Sequence, residues 1–105
     1  MKGSTEVASR FGKNLRRLRR RADLSQEQLG RRASLHRTEI GLLERGARVP
    51  RIDTLVKVAA ALKIAPTELI VGIEWTPGAS EAGTFTLSPP DEDHVPSARD
   101  GLPDA

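Results

Sequence analysis

A helix-start signal at Ser25 constrains the fold of this chain more than any other feature. Ser25 is a favoured N-cap residue, and Gln28 follows three positions later, which completes the pattern of a capping box. Asp23 and Leu24 interrupt the helical pattern just before it. The signal therefore predicts that one helix ends near Ala22 and that a short second helix begins after Ser25.

The segment before this signal has the periodicity of an amphipathic helix. Its apolar residues are spaced by three or four positions, which places them on one helical face, and most of its arginines lie off that face. We therefore predict a first helix over residues 6–22 with a cationic outer side. The apolar stripe consists of Val7, Phe11, Leu15, Leu18 and Ala22.

Two short helices are predicted next, joined by a turn over residues 34–36. The second helix covers residues 26–32 and turns Leu29 and Ala33 inward. The third covers residues 37–45 with Ile40 and Leu43 inside, and Gly46 ends it. Two short helices with a three-residue turn, beside a basic first helix, are typical of a helix-turn-helix unit.

The pattern then predicts a fourth helix and a short fifth one. The fourth covers residues 52–63, and the fifth covers residues 66–71, where Pro66 suits a first helical position. The inward stripe of the fourth helix is expected to be Ile52, Leu55, Ala59 and Leu62.

The composition changes after residue 72. Residues 72–105 hold five of the seven prolines and are acidic, which is typical of a disordered tail, most clearly beyond about residue 89. Alternating polar and apolar residues at both ends of the segment 73–87 also allow a short hairpin there. We therefore divide the chain into an N-terminal arm (1–7), a helix-turn-helix domain (8–72) and a C-terminal tail (73–105).

Charge is distributed unevenly along the chain. Residues 1–51 contain 14 basic and 5 acidic residues, a net of +9, whereas residues 72–105 contain one basic and seven acidic residues, a net of −6. A basic half of this kind indicates a polyanionic partner.

Several functional classes are disfavoured. The chain has no cysteine, which excludes disulfides and thiolate metal sites, and its only histidines, His36 and His94, lie far apart without a catalytic motif. We expect no enzyme activity, no cofactor and no metal. With no signal peptide and no apolar run long enough for a membrane span, we expect a cytoplasmic protein that is associated with the nucleoid when bound to DNA.

At this point the sequence resembles the Xre/Cro family of phage-repressor-like helix-turn-helix transcription factors. The resemblance covers residues 8–71, about two thirds of the chain. It rests on the order and spacing of several short segments: residues 15–19 (LRRLR), 24–29 (LSQEQL), Ile40, 43–46 (LERG), Pro50, and the apolar positions from Leu55 to Leu62.

The resemblance implies an all-α fold, namely a compact five-helix lambda-repressor-like domain followed by a largely irregular acidic tail. It implies that the third helix reads the major groove of double-stranded DNA. Arg37 and Thr38 match base-reading positions, and the outward-facing Leu42 is expected to contact a thymine methyl group. Glu39 is ambiguous: it could accept from cytosine N4 or hold Arg37 in place.

Other residues are expected to contact the DNA backbone or to hold the fold. Gln26 resembles the family's glutamine that binds a phosphate and braces the reading helix, and Arg19 and Glu44 match a structural ion pair. Ser34 replaces the usual glycine of the turn, and His36 replaces the usual Ser or Thr N-cap, with an imidazole that could contact phosphate. The expected backbone contacts are Gln26, His36, Arg45, Arg48 and Arg51.

A homodimer is expected because too many apolar residues remain for one small bundle to bury. The family commonly dimerises through this region. The expected interface consists of Val56, Ala60, Ile64, Ile70, Val71 and Trp75. The alternative is that residues 73–87 fold back over the same surface. A second functional alternative is an antitoxin-like or other interaction module whose tail binds a partner protein.

Overall fold

The computed structural model describes the backbone of residues 2–79 and 82–88, and the side chains from residue 5 onward within those ranges. Four α-helices come first: α1 (Lys2–Arg21), α2 (Gln26–Ala33), α3 (Arg37–Glu44) and α4 (Ile52–Leu62). A 3₁₀ helix (Pro66–Ile70) and two antiparallel strands, β1 (Ile73–Pro77) and β2 (Gly83–Leu87), follow. None of these helices has the length and apolar character needed to cross a membrane.

The helix α1 begins earlier than its apolar stripe suggests. Residues 2–7, which we expected to form an arm, are its first two turns. Nothing in this stretch breaks a helix, because proline is absent and the single Gly3 is only a weak breaker. The apolar pattern therefore located the buried face of α1 but not its first residue.

The core lies where α1, α2, α3 and α4 converge with the 3₁₀ helix. All five elements contribute large apolar side chains that are almost completely buried. Burying one such side chain contributes about 1.5–3 kcal/mol. They include Phe11, Leu15, Leu29, Ile40, Leu43, Val58 and Leu69.

The residues that we expected on the buried face of α4 are only partly correct. Ala59 and Leu62 are buried as predicted, but Ile52 is 77% exposed and Val58 is fully buried. Ile52 occupies the first position of α4, where the helix has only just entered the bundle, so its side chain projects beyond the core. Ala22, expected at the end of the α1 stripe, is likewise exposed because α1 has ended at Arg21.

The fold class needs two corrections. The segment expected to be a fifth helix is a single 3₁₀ helix, and the chain is not all-α because β1 and β2 form a two-stranded sheet. The sheet falls in the segment where the sequence allowed a hairpin, with Ile73 opposite Leu87 and Trp75 opposite Phe85. The expected irregular tail beyond residue 89 lies outside the described residues.

A buried amide joins the hairpin end of the chain to α1. Asn14 is completely buried, and its Nδ2 donates to the carbonyl oxygens of Leu69 at 3.0 Å and Val71 at 2.9 Å. These carbonyls lie at the end of the 3₁₀ helix, where helical hydrogen bonding stops and carbonyl oxygens need other partners. Asn14 thereby fixes the point from which β1 departs.

Candidate nucleic-acid interface

The helix α2 starts at the predicted capping box. The Ser25 hydroxyl accepts from the Gln28 backbone N–H at 3.0 Å, and the Gln28 side chain accepts from the Ser25 N–H at 2.8 Å. Two amides that the helix itself cannot satisfy are thereby paired, and such a cap contributes about 1 kcal/mol. The first residue of α2, Gln26, is held in a defined position as a result.

The turn between α2 and α3 is built without the usual glycine. Ser34 adopts the left-handed conformation, with φ 58° and ψ 41°, and caps the C-terminus of α2. Left-handed backbone is unfavourable for a residue with a Cβ atom, which agrees with the strain we expected at this position. The geometry is that of a helix-turn-helix even though the residue type differs.

His36 caps the start of α3. Its Nδ1 accepts a hydrogen bond from the Thr38 backbone N–H at 3.0 Å. Because Nδ1 is used as an acceptor, the neutral ring carries its proton on Nε2. His36 is exposed, so the Nε2–H is available as a donor to an incoming group.

The C-terminal end of α3 is fixed to α1 by an ion pair. Arg19 donates through Nε to Glu44 Oε2 at 2.5 Å and through Nη2 to Oε1 at 2.9 Å, while Nη1 donates to the Leu24 carbonyl at 2.8 Å. The two side chains are only 11% and 4% exposed. The hydrogen bonds that Arg19 donates to Glu44 raise the pKa of Arg19 above its ordinary value, so the guanidinium stays charged.

Gln26 joins this arrangement from α2. Its Nε2 donates to Glu44 Oε1 at 3.1 Å. Gly41 lies beside this amide, since a Cβ atom there would be 3.6 Å from Gln26 Oε1, an ordinary van der Waals distance. The Gln26–Glu44 contact is the bracing that the resemblance implied for this glutamine.

The backbones of α1 and α3 approach each other closely at Gly12. A Cβ atom at this position would lie 2.4 Å from the Leu43 carbonyl oxygen and 2.6 Å from that of Glu44. Only glycine permits this approach without displacement of α3. The orientation of α3 thus depends on Gly12 and on the Arg19–Glu44 pair.

The outward face of α3 carries the residues expected to read bases. Arg37 and Thr38 are exposed at its N-terminus, while Glu39 and Leu42 are half-buried. Leu42 therefore does not project freely, as a residue pointing fully outward would. The first turn of α3 presents the most accessible side chains.

Glu39, for which the sequence left cytosine N4 and Arg37 open as partners, contacts a different cation. Arg48 Nη1, in the loop after α3, contacts Glu39 Oε1 at 3.1 Å, so Glu39 holds Arg48 rather than Arg37. Arg45 and Arg51 are also exposed near this end, and Arg51 Nε lies 3.3 Å from Asp53 Oδ1. Gly46 follows α3 with φ 71°, which ends the helix and turns the chain into this loop.

Some contributors were not predicted. Gly12 carries no sequence signal of its own. Asn14 does carry one, because it is a polar residue between Phe11 and Leu15 on an otherwise apolar face. Ile64 was expected at a dimer interface but is 8% exposed and packs in the protomer's own core. Among the described residues, no group of His, Asp and Glu side chains could hold a metal ion.

A capped α2, a tight turn and an exposed α3 braced from behind define a helix-turn-helix DNA-binding unit. Comparisons with known proteins agree, since residues 15–69 match the helix-turn-helix family. The chain therefore belongs to the helix-turn-helix family of Xre-like DNA-binding transcription regulators.

Individual relatives cover the same region. The HTH-type transcriptional regulator y4dJ of Sinorhizobium fredii (strain NBRC 101917 / NGR234) is 38% identical over 66 residues, which are 63% of this chain and 86% of that protein. Control protein C.BamHI of Bacillus amyloliquefaciens is 38% identical over 61 residues, 57% of this chain and 75% of its own length.

A solved structure extends the likeness to the fold. The restriction-modification controller protein C.AhdI from Aeromonas hydrophila superposes with a TM-score of 0.58 at 42% identity. The match covers 94% of that protein but only 59% of this chain. Much of this chain therefore has no counterpart in C.AhdI.

Proposed function

We propose that this chain is a homodimeric, sequence-specific regulator that inserts α3 into the major groove of double-stranded DNA. The observation that carries this proposal is the bracing of α3. At the C-terminal end of α3, Glu44 contacts both Arg19 and Gln26. At the N-terminal end, Arg37 and Thr38 remain exposed. Recognition favours a rigid element that presents accessible side chains.

Base reading is assigned to the exposed face of α3. Arg37 can donate two hydrogen bonds to O6 and N7 of guanine, which is worth about 1–3 kcal/mol of discrimination. Thr38 can offer its hydroxyl or methyl group, and Leu42 can contact a thymine methyl with the part of its side chain that remains accessible. Glu39 can accept a hydrogen bond from cytosine N4 if its ion pair with Arg48 breaks, or if its carboxylate accepts from both groups at once.

Backbone contacts are assigned to residues around the two ends of α3. His36 can donate from Nε2 to a phosphate while Nδ1 keeps its cap. Arg45 and Arg51 are exposed cations beyond the other end, and Arg48 lies beside them, oriented by Glu39. Gln26 Nε2 uses one of its two N–H groups on Glu44, and the other can donate to a phosphate.

The dimer is assigned to α4 and the 3₁₀ helix. An exposed or half-exposed apolar stripe on α4 consists of Ile52, Val56 and Ala60, which recur every four residues. In the proposed interface, Ile52 replaces the buried Ile64. Ile70 is 42% exposed and Val71 is half-buried next to it. An apolar patch of this kind usually marks an interface.

Trp75 also remains exposed, at 51%, with its ring against Phe85 at a centroid distance of 4.9 Å. We include Trp75 at the edge of the dimer interface. In such a dimer the two copies of α3 would lie about 34–36 Å apart, and the operator would be a palindrome with half-sites about 10 base pairs apart.

The likeness to C.BamHI and C.AhdI suggests the biological setting. Control of restriction–modification genes is the role to test first for this chain. We further propose a non-enzymatic protein that acts in the cytoplasm on the nucleoid. No contact in the described residues favours the antitoxin-like alternative over this role.

Selection of bound sites from random double-stranded DNA tests the proposal. We expect the full chain to enrich a palindrome, and we expect the Arg37→Ala variant to lose preference at one base pair of each half-site. Failure of the wild-type chain to enrich any sequence, despite a folded helical spectrum, would overturn sequence-specific binding.

A further inference from the structure

The outer face of α1 is a basic surface that the helix-turn-helix geometry does not use. Lys13, Arg16, Arg17 and Arg20 follow each other at helical spacing and line one shallow depression, on the side of α1 opposite the buried Leu15. They span only about 10 Å of helix. Like charges spaced in this way repel one another, so the surface favours an anionic occupant.

Some of these arginine atoms lack partners within the described part of the chain. Arg17 Nε and Nη2 are buried and make no hydrogen bond there, and neither does the buried Nε of Arg10, one α1 turn before Asn14. A buried donor without an acceptor costs about 1–3 kcal/mol. Within the described part of the chain these buried nitrogens therefore leave the positive charge of α1 incompletely compensated.

The hairpin brings the chain to this face. The strand β2 packs against α1, and Leu87 at its end lines a second depression together with Thr5, Arg10 and Lys13. A hydrogen bond of 2.8 Å from the Ser88 N–H to the Gly72 carbonyl fixes the last described residue. The chain consequently leaves β2 beside the first cation of the α1 outer face.

The residues that follow have the opposite charge. Residues 89–105 contain one arginine and five acidic residues, a net of −4. Asp91 lies three residues after Ser88, within about 10 Å along an extended chain, and Glu92 and Asp93 come next. The whole α1 outer face is thus within reach of this acidic segment.

We propose that the acidic segment 89–105 binds the outer face of α1 in the same chain. Its carboxylates accept hydrogen bonds from the exposed Arg16 and Arg20 and offset the positive charge of the half-buried Arg17 between them. Tethering at Ser88 makes the contact intramolecular, so weak individual ion pairs act at a high effective concentration. The bound segment withholds this face from DNA phosphates and leaves α3 free.

Paramagnetic broadening in the full chain tests the contact. The protein contains no cysteine, so Ala98→Cys gives a single site for a spin label. We expect amide signals of residues 13–20 to broaden selectively, compared with those of residues 54–62 in α4. We expect the effect to disappear in about 1 M salt, where the Debye length is only about 3 Å.

Matched variants identify the charges responsible. Changing the five acidic residues of the segment to their amides, or changing Arg16 and Arg17 to Gln, should abolish the broadening, whereas Arg31→Gln with Arg32→Gln on α2 should preserve it. Broadening that is absent in the labelled chain, or that persists in the amide variant, overturns the proposal. Broadening seen only between chains, in a mixture of isotope-labelled and spin-labelled protein, overturns its intramolecular form.

Discussion

Arg19 and Glu44 form a two-pronged ion pair that crosses from α1 to the last residue of α3, with side chains 11% and 4% exposed. Because Glu44 also accepts from Gln26, this one carboxylate connects α1, α2 and α3. The orientation of α3 is therefore set on the side of the helix that faces away from the proposed DNA site.

We predict that Glu44→Ala destabilises the fold by about 3 kcal/mol, because it leaves the Arg19 guanidinium in a largely dry site without its acid. Arg19→Ala with Glu44→Ala should cost less than the two single effects added together. Urea unfolding of the four proteins measures this coupling. Strict additivity would show that the pair does not act as a unit.

We predict that Asn14→Ala lowers the free energy of unfolding by about 2–3 kcal/mol, because the carbonyl oxygens of Leu69 and Val71 lose their shared donor. Lys13→Ala, one residue away on the exposed face, is the control and should change stability by less than about 0.5 kcal/mol. Thermal unfolding of both variants decides the matter. Equal effects would argue against a structural role for the Asn14 amide.

We predict that DNA affinity falls steeply with salt. Each neutralised phosphate contributes about −0.9 to the slope of log affinity against log salt concentration. Arg51→Ala should reduce this slope and weaken all sequences alike, because Arg51 is an exposed cation outside α3. Fluorescence anisotropy over a salt series provides the measurement, and a flat titration would contradict the electrostatic part of the proposal.

We predict that Arg37→Ala costs about 1–3 kcal/mol on the selected site and little on random DNA. Arg48→Ala is the comparison: it should weaken both DNAs, and it also frees Glu39 from its only ion-pair partner among the described residues. Competition binding separates the two effects. Equal losses on both DNAs for Arg37→Ala would make Arg37 a phosphate contact instead.

We predict that Val56→Glu converts the proposed dimer to a monomer, because a charge would have to be buried between two apolar stripes. Lys57→Glu, the adjacent exposed position on α4, is the control and should leave the dimer intact. Sedimentation of the full chain measures both. A wild-type chain that stays monomeric at high concentration, and binds single half-sites, would refute the dimer.

The sequence was most informative where local rules act alone. The capping box at Ser25 and Gln28 gave the start of α2, and the inward positions Leu29, Ile40 and Leu43 were all correct, because helix caps and helical periodicity depend on a few neighbouring residues. The Arg19–Glu44 contact came from the family resemblance, since the two residues are 25 positions apart and no local rule connects them.

The errors fall where tertiary context decides. Ile52 looked like a core residue by spacing, yet only the packing of α4 determines how far its first turn extends beyond the bundle. Ile64 was assigned to the dimer interface because other residues were expected to fill the buried face of α4. In the structure Val58 lies on that buried face, and Ile64 packs in the same core. Glu39 could not be assigned to Arg48 because that pairing depends on the path of the loop after Gly46.

The hairpin has a spectroscopic consequence. Trp75 is the only tryptophan of the chain, and its ring lies over Gly83, where a Cβ atom would come within 2.1 Å of the indole. Indole emission will therefore report on whether the two strands are paired, whereas far-ultraviolet circular dichroism is dominated by the four helices. If the two signals change at different denaturant concentrations, the gap between the midpoints measures how independently the hairpin opens from the bundle.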